Sequence, residues 1–213
     1  PGFASMDPEA EQQFASRIQR AIASADKPEC GLLLDLRGNS GGNMFPMLAG
    51  LAPLFAEGEV GGLLTVRSDP VAWKFERGRF VSSGTGQSRR VVGVAEPVAR
   101  VGDGTTPVAV LLGPATGSSG EAVAIAFIGR PHSRSFGAPT AGLTTGNRPV
   151  PLADGALLAI TASVMQDRSG RQYGGKLTPD ESIAMAASAS PAADAAVAAA
   201  IAWLDRQNAC PSQ

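Results

Sequence analysis

Thr116-Gly117-Ser118-Ser119-Gly120-Glu121 is the stretch whose residue types and spacing most directly allow chemistry. It follows the all-apolar run Val108-Ala109-Val110-Leu111-Leu112, which reads as a strand buried on both faces. It precedes Ala122-Val123-Ala124-Ile125-Ala126-Phe127-Ile128, apolar on every side and so a buried helix. A serine at a strand-to-helix turn lies beside unpaired helix N-terminal amides and the positive end of the helix dipole. A negative charge can form and be held there. Two readings of Ser118 stand at this point, a nucleophile or an ordinary helix cap.

A second stretch repeats the layout. Gly31-Leu32-Leu33-Leu34-Asp35-Leu36 reads as a buried strand, Arg37-Gly38-Asn39-Ser40-Gly41-Gly42-Asn43 as a glycine-rich turn, and residues 44–55 as an apolar helix. Attack on a carbonyl needs a nucleophile and two N–H donors aimed at the developing oxyanion, and losing one donor costs roughly a hundred- to a thousand-fold in rate. Gly41 and Gly42 can bring bare backbone close to a substrate carbonyl. The Ser119 amide is the second donor expected. Other chemistries fit less well: the serine segment is neither a G-x-S-x-G elbow nor a lysine-bearing phosphate loop. One histidine in the chain leaves no Cys/His set for zinc.

These turns need elements to position them. Two strand–turn–helix units in one chain predict an α/β layered fold with mainly parallel strands. Asp7-Pro8-Glu9 starts an amphipathic helix over about residues 8–25, with Phe14, Ile18, Ala21 and Ile22 on one face. Residues 60–100 differ, with short strands at 61–66, 73–75 and 79–81 that predict a β-rich insertion forming one wall of a cleft. In this region Arg89 and Arg90 read as surface arginines. Further strands are expected at 135–137 and 156–161, with a loop at 139–147 between them and a terminal helix over about 190–207.

At 213 residues the chain suits a single domain. A formal charge of −1 and mixed charge distribution give no electrostatic case for nucleic acid. No apolar run approaches the roughly 20 residues of a bilayer span. Cys30 and Cys210 are either a disulfide or two free thiols; a bond between them, and an extracytoplasmic (periplasmic or secreted) setting, are the expectation.

Taken together, the landmarks resemble a known family. Asp35-Leu36-Arg37-Gly38-Asn39-Ser40-Gly41-Gly42 is similar to the D-L-R-x-N-x-G-G motif of the tail-specific, or C-terminal-processing, serine proteases. Thr116 to Glu121 resembles their S-x-S-x-S-E motif with Ser118 at the nucleophile position, and Gly137-Ala138-Pro139-Thr140 matches the G-x-x-T landmark that follows. Asp167 to Gly170 and Thr178-Pro179-Asp180 resemble the closing segments. The resemblance implies a ClpP/crotonase-like core, peptide-bond hydrolysis on a peptide or protein substrate, and an oxyanion hole from the Gly41/Gly42 turn and the Ser119 amide. It implies no metal or organic cofactor. Glu121 and Arg37 are expected to brace the motifs, and Asn43, Thr144 and Asn147 to contact substrate.

The match breaks at the general base. The lysine of the Ser-Lys members aligns with Leu143, which cannot take a proton. Leu143 is expected near Ser118, His132 at the far end of the intervening helix, and Lys176 to be a poor base unless buried. The histidine-using members, similar to the tricorn core and the nisin-resistance proteases, place their base N-terminal to this region. A histidine on an upstream segment or a separate chain is therefore expected. Two rival readings accompany this one: a non-catalytic binding module on the same fold, and an acyl-CoA enzyme of the crotonase type.

Overall fold

The structure is a computed structural model describing residues 2–27, 30–65, 70–84, 89–94, 97, 99–101, 104–184 and 194–207. Two sheets organise it. The first is a four-stranded parallel sheet in the order β1 (Leu32–Asp35), β6 (Val108–Leu112), β7 (Ser133–Gly137), β11 (Glu181–Ser182). The unbroken apolar run of β6 has a simple cause. Val108, Val110 and Leu112 face one core, while Ala109 and Leu111 face another on the opposite side, so no position is left for a polar residue.

The second sheet is antiparallel and has seven strands. It runs β10 (Gln172–Tyr173), β9 (Leu157–Asp167), β2 (Gly58–Thr65), β3 (Val71–Glu76), β4 (Arg79–Ser83), β5 (Arg90–Val92), with β8 (Thr145–Pro151) paired to β9. The α/β class and the parallel sheet are as expected, but the proportion differs from the mainly parallel fold anticipated. Residues 58–92 join strands from after the Ser118 helix in one sheet. β8 occupies part of the segment read as a loop, and its partner β9 carries Leu157 and Leu158 to solvent. A half-exposed hairpin has no clean two-residue period, which is why the sequence pattern there was weak.

Helices fill and flank the sheets. α1 (Pro8–Ala23) starts at Asp7, whose carboxylate accepts from the Ala10 amide at 2.8 Å, as its Asp-Pro signature predicts. It packs on α2 (Met44–Leu51), which continues into a 3-10 turn at Ala52–Leu54. Contact is close because Gly50 has no side chain to meet Ile18. α3 (Ser119–Phe127) is buried throughout, hence its lack of a polar face. α4 (Ala195–Asp205) covers the other side of the parallel sheet through Trp203, which packs on Phe136 with ring centroids 6.0 Å apart.

The described part of the terminal helix starts at its Asp194 cap. The start expected at Ser190-Pro191 lies outside the described residues, as does Cys210 and with it the pairing expected for Cys30. Among the described residues no helix is long and apolar enough to cross a membrane.

Candidate active site

Both glycine-rich turns leave the C-terminal ends of adjacent parallel strands, β1 and β6, so they meet. Several bonds lace them together. The Thr116 hydroxyl donates to the Leu36 carbonyl at 2.9 Å, and the Gly117 amide donates to the Asn39 carbonyl at 3.0 Å. Gly120 lies so close to Asn39 that a side chain there would overlap the Asn39 carbonyl.

Ser118 occupies the N-cap position of α3 with φ +50° and ψ −114°. An ordinary N-cap is extended, and a serine at positive φ is uncommon. Strain of this kind persists only where neighbours over-determine it, and it concentrates at functional sites. Glu121 is the main determinant. Its fully buried carboxylate accepts from the Ser118 amide at 2.8 Å and the Leu143 amide at 2.7 Å through Oε2. Through Oε1 it accepts from the Gly142 amide at 2.9 Å and the Thr140 hydroxyl at 2.5 Å. One buried anion therefore ties the serine turn to the 140–143 loop. Ser118 itself stays partly exposed among buried neighbours.

Gly41 lies directly against the serine: a Cβ on it would stand 2.9 Å from Ser118 Cβ and 3.4 Å from the Ser119 nitrogen. Its φ of +119° and that of Gly42, +113°, belong to the region open to glycine. The Gly41 amide is already used, donating to Asn39 Oδ1 at 3.1 Å. The amides of Gly42 and Ser119 have no acceptor among the described residues. Phe3 pairs with Gly42 in a parallel bridge, its carbonyl accepting from the Asn43 amide, so Gly2 runs alongside Gly41.

The other expected residues divide. Leu143 does reach the serine turn, its Cδ1 3.5 Å from where a Gly117 Cβ would stand, and it is 54% exposed. Lys176 packs along Gly142 and is exposed. His132 is exposed at the start of β7, the sheet end opposite Ser118, about 16 Å away along the strand. Asn147 is exposed on β8, its Oδ1 accepting from the Thr161 hydroxyl at 3.2 Å.

Two of the substrate contacts expected turn inward instead. Thr144 is fully buried and its hydroxyl donates to the Gly175 carbonyl at 2.8 Å. Asn43 is buried as the α2 cap, accepting from the Phe45 amide at 3.1 Å and donating to Glu11 Oε1 at 2.6 Å and the Ser5 carbonyl at 2.9 Å. Each side chain spends its polar atoms within the fold, as burial requires.

Arg37 braces as expected, but more widely. It donates to Asp35 through Nε and Nη2 and to Asp194 through Nη1, joining the end of β1 to the α4 cap. Burial alone would raise the Asp35 pKa, but its bonds with Arg37 outweigh that and hold it below the usual carboxylate range. Asp194 is lowered chiefly by its bond to Arg37.

Sequence reasoning gave no role to Asn39 or Thr140, and it placed Arg90 at the surface. Arg90 pairs with the buried Glu11 and lies over the Phe45 ring, 3.8 Å from its centroid. A lone buried Glu11 on an amphipathic helix was the available signal, since a buried carboxylate needs a partner.

The chain is similar to known proteins. Residues 2–183 match the sequence profile of "Peptidase family S41". The chain is 34% identical over 143 residues to a nisin-resistance protein of Lactococcus lactis subsp. lactis, covering 67% of this chain and 42% of that one. It superposes on a lipoprotein from Streptococcus agalactiae with a TM-score of 0.68 and 26% identity, covering 97% of this chain and 64% of the other. The photosystem II D1 C-terminal processing protease shares the fold, with a TM-score of 0.55 at 21% identity, over 81% of this chain and 39% of that one. The chain thus spans less than two thirds of the length of these relatives. With its family profile matched over residues 2–183 and the two glycine-rich turns brought together in space, the chain belongs to peptidase family S41.

Proposed function

We propose that this chain is the catalytic core of a serine endopeptidase acting through an acyl-enzyme, with Ser118 as nucleophile. The observation that carries the reading is the strained Ser118 at φ +50°, held by Glu121 at the head of α3 and facing Gly41. Ser118 Oγ attacks the scissile carbonyl carbon as its proton passes to a base, and the carbonyl π pair moves onto oxygen. The Gly42 and Ser119 amides receive that oxyanion, while Gly41 provides the close approach and keeps its own N–H on Asn39. Collapse breaks the C–N bond, the base returns the proton to the leaving amine, and water repeats the cycle on the ester.

The base is a histidine supplied by a segment preceding this chain or by a second chain. Leu143 stands where a lysine is used in other members, Lys176 is solvated, and His132 is at the opposite sheet end. Gly2 beside Gly41 means that residues joined upstream would emerge next to Ser118. Asn147 is the remaining candidate for substrate contact. The extracytoplasmic setting and the Cys30–Cys210 disulfide belong to the same proposal, in keeping with the lipoprotein and nisin-resistance relatives.

The test is intact mass after treatment with a fluorophosphonate, on this chain and on the full-length native polypeptide, each beside Ser118→Ala. Labelling of the full-length protein alone, abolished by the substitution, is expected. Labelling of this chain as well would return the base to Lys176 or His132. A folded full-length protein that never labels would leave a non-catalytic binding module as the reading.

A further inference from the structure

The two amides assigned to the oxyanion hole come from residues 77 positions apart, yet they must converge on one oxygen atom. A glycine at φ +113° is free to rotate, so the Gly42 donor has no intrinsic direction. Two contacts hold the peptide that follows it. Its N–H, from Asn43, donates to the Phe3 carbonyl. Its C=O, from Gly42, accepts from the Ser119 hydroxyl at 2.5 Å. The hydroxyl therefore belongs to the residue whose own backbone N–H is the other donor.

We infer that the Ser119 side chain is a positioning residue that fixes the spacing and direction of both oxyanion donors, in addition to giving one of them. The inference rests on the proposed acyl-enzyme reading, since the donors matter only if an oxyanion forms. Its physical basis is geometric. Donors are worth most when already aimed at the place where charge develops, because no reorganisation is then needed at the moment of reaction. Gly42 is exposed, and without the clamp the peptide after it is held by the Asn43–Phe3 bond alone, so the Gly42 N–H that precedes it loses one constraint on its direction. Ser119 is 8% exposed, so the hydroxyl has little competing water and the bond is well placed to hold. The contact also differs from bracing by Glu121. Glu121 sets the serine turn against the 140–143 loop, whereas Ser119 joins the serine turn to the other half of the hole.

Ser119→Ala keeps both backbone amides and the nucleophile, and removes only the clamp. In the polypeptide that reacts with the fluorophosphonate, the maximal labelling rate is expected to fall roughly two- to tenfold, the value of one hydrogen bond. The half-saturating probe concentration is expected to stay unchanged, because a donor realised in the transition state adds little to ground-state binding. Ser119→Thr, which keeps the hydroxyl, should restore the rate; if the added methyl lowers the melting midpoint, Ser119→Cys replaces it and should restore part. In this chain, the Gly42 amide signal in 15N spectra should broaden by exchange on Ser119→Ala.

A labelling rate equal to wild type with an unaltered Gly42 signal overturns the inference. So does a loss that follows thermal stability and is not restored by either hydroxyl or thiol. If the wild-type full-length protein does not label at all, the acyl-enzyme reading fails, and the Gly42 signal still decides whether the clamp exists.

Discussion

A single buried carboxylate governs the serine turn. Glu121 meets four donors, three of them backbone amides, and only an ionised carboxylate presents acceptors to all four. Glu121→Gln is nearly isosteric but turns an NH2 toward two of those donors. Leaving buried donors unsatisfied costs about 1–3 kcal/mol each, so with two of them the variant should lose about 2–6 kcal/mol in urea unfolding. Fluorophosphonate labelling should fall with it, because the positive φ of Ser118 is no longer over-determined. A variant of unchanged stability that labels normally would show that the turn holds its shape without this anion. Gly41 illustrates the same economy of space, since its missing side chain is what lets Ser118 and the Asn39 turn touch.

At the scale of elements, α4 is tied to the end of β1 by charge as well as by packing. Asp194 caps α4 through the Ala196 and Val197 amides and also receives Arg37. Asp194→Asn keeps a capping oxygen and removes the ion pair, whereas Asp194→Ala removes both. The alanine variant should be less stable than the asparagine one by about 1 kcal/mol, the usual value of a cap, in thermal or urea melts. The acid limb separates the two roles further. Both Asp35 and Asp194 are lowered in the folded state, so it binds fewer protons than the unfolded chain. Their contribution is complete above the unfolded carboxylate value of about 3.9 and is lost as pH falls through the lower folded values. Melting midpoints followed from about pH 5 to pH 2 should therefore fall less steeply for Asp194→Asn than for wild type.

Across the whole molecule, α4, the parallel sheet, the buried helices and the antiparallel sheet form successive layers, and the two glycine-rich turns open where adjacent strands end. The outer layer is centred on one large side chain. Trp203 packs on Phe136, with Ala196 and Ala200 buried beside it and Val197, Ala199 and Leu204 partly buried around them. Trp203→Ala should cost about 3 kcal/mol in urea unfolding, the lower end for a large core truncation because part of the ring is near solvent. A midpoint equal to wild type would mean that α4 adds little to the stability of the sheet beneath it.

The sequence by itself determined the two strand–turn–helix units, the helix start at Asp7 and the nearness of Leu143 to the serine turn. These follow from signals carried by consecutive residues: unbroken apolar runs, a capping Asp-Pro pair, glycines between strand and helix, and the fixed rise of each element. The tertiary structure alone decided which polar groups were spent and which were free. The Asn39 carbonyl takes the Gly117 amide, Thr144 and Asn43 turn inward, Arg90 finds a buried Glu11, and Ser119 reaches Gly42. It also decided that the strands after Ser118 return to pair with β2. Each of these is a partnership between residues far apart in the chain, formed only when packing brings them within about 3 Å.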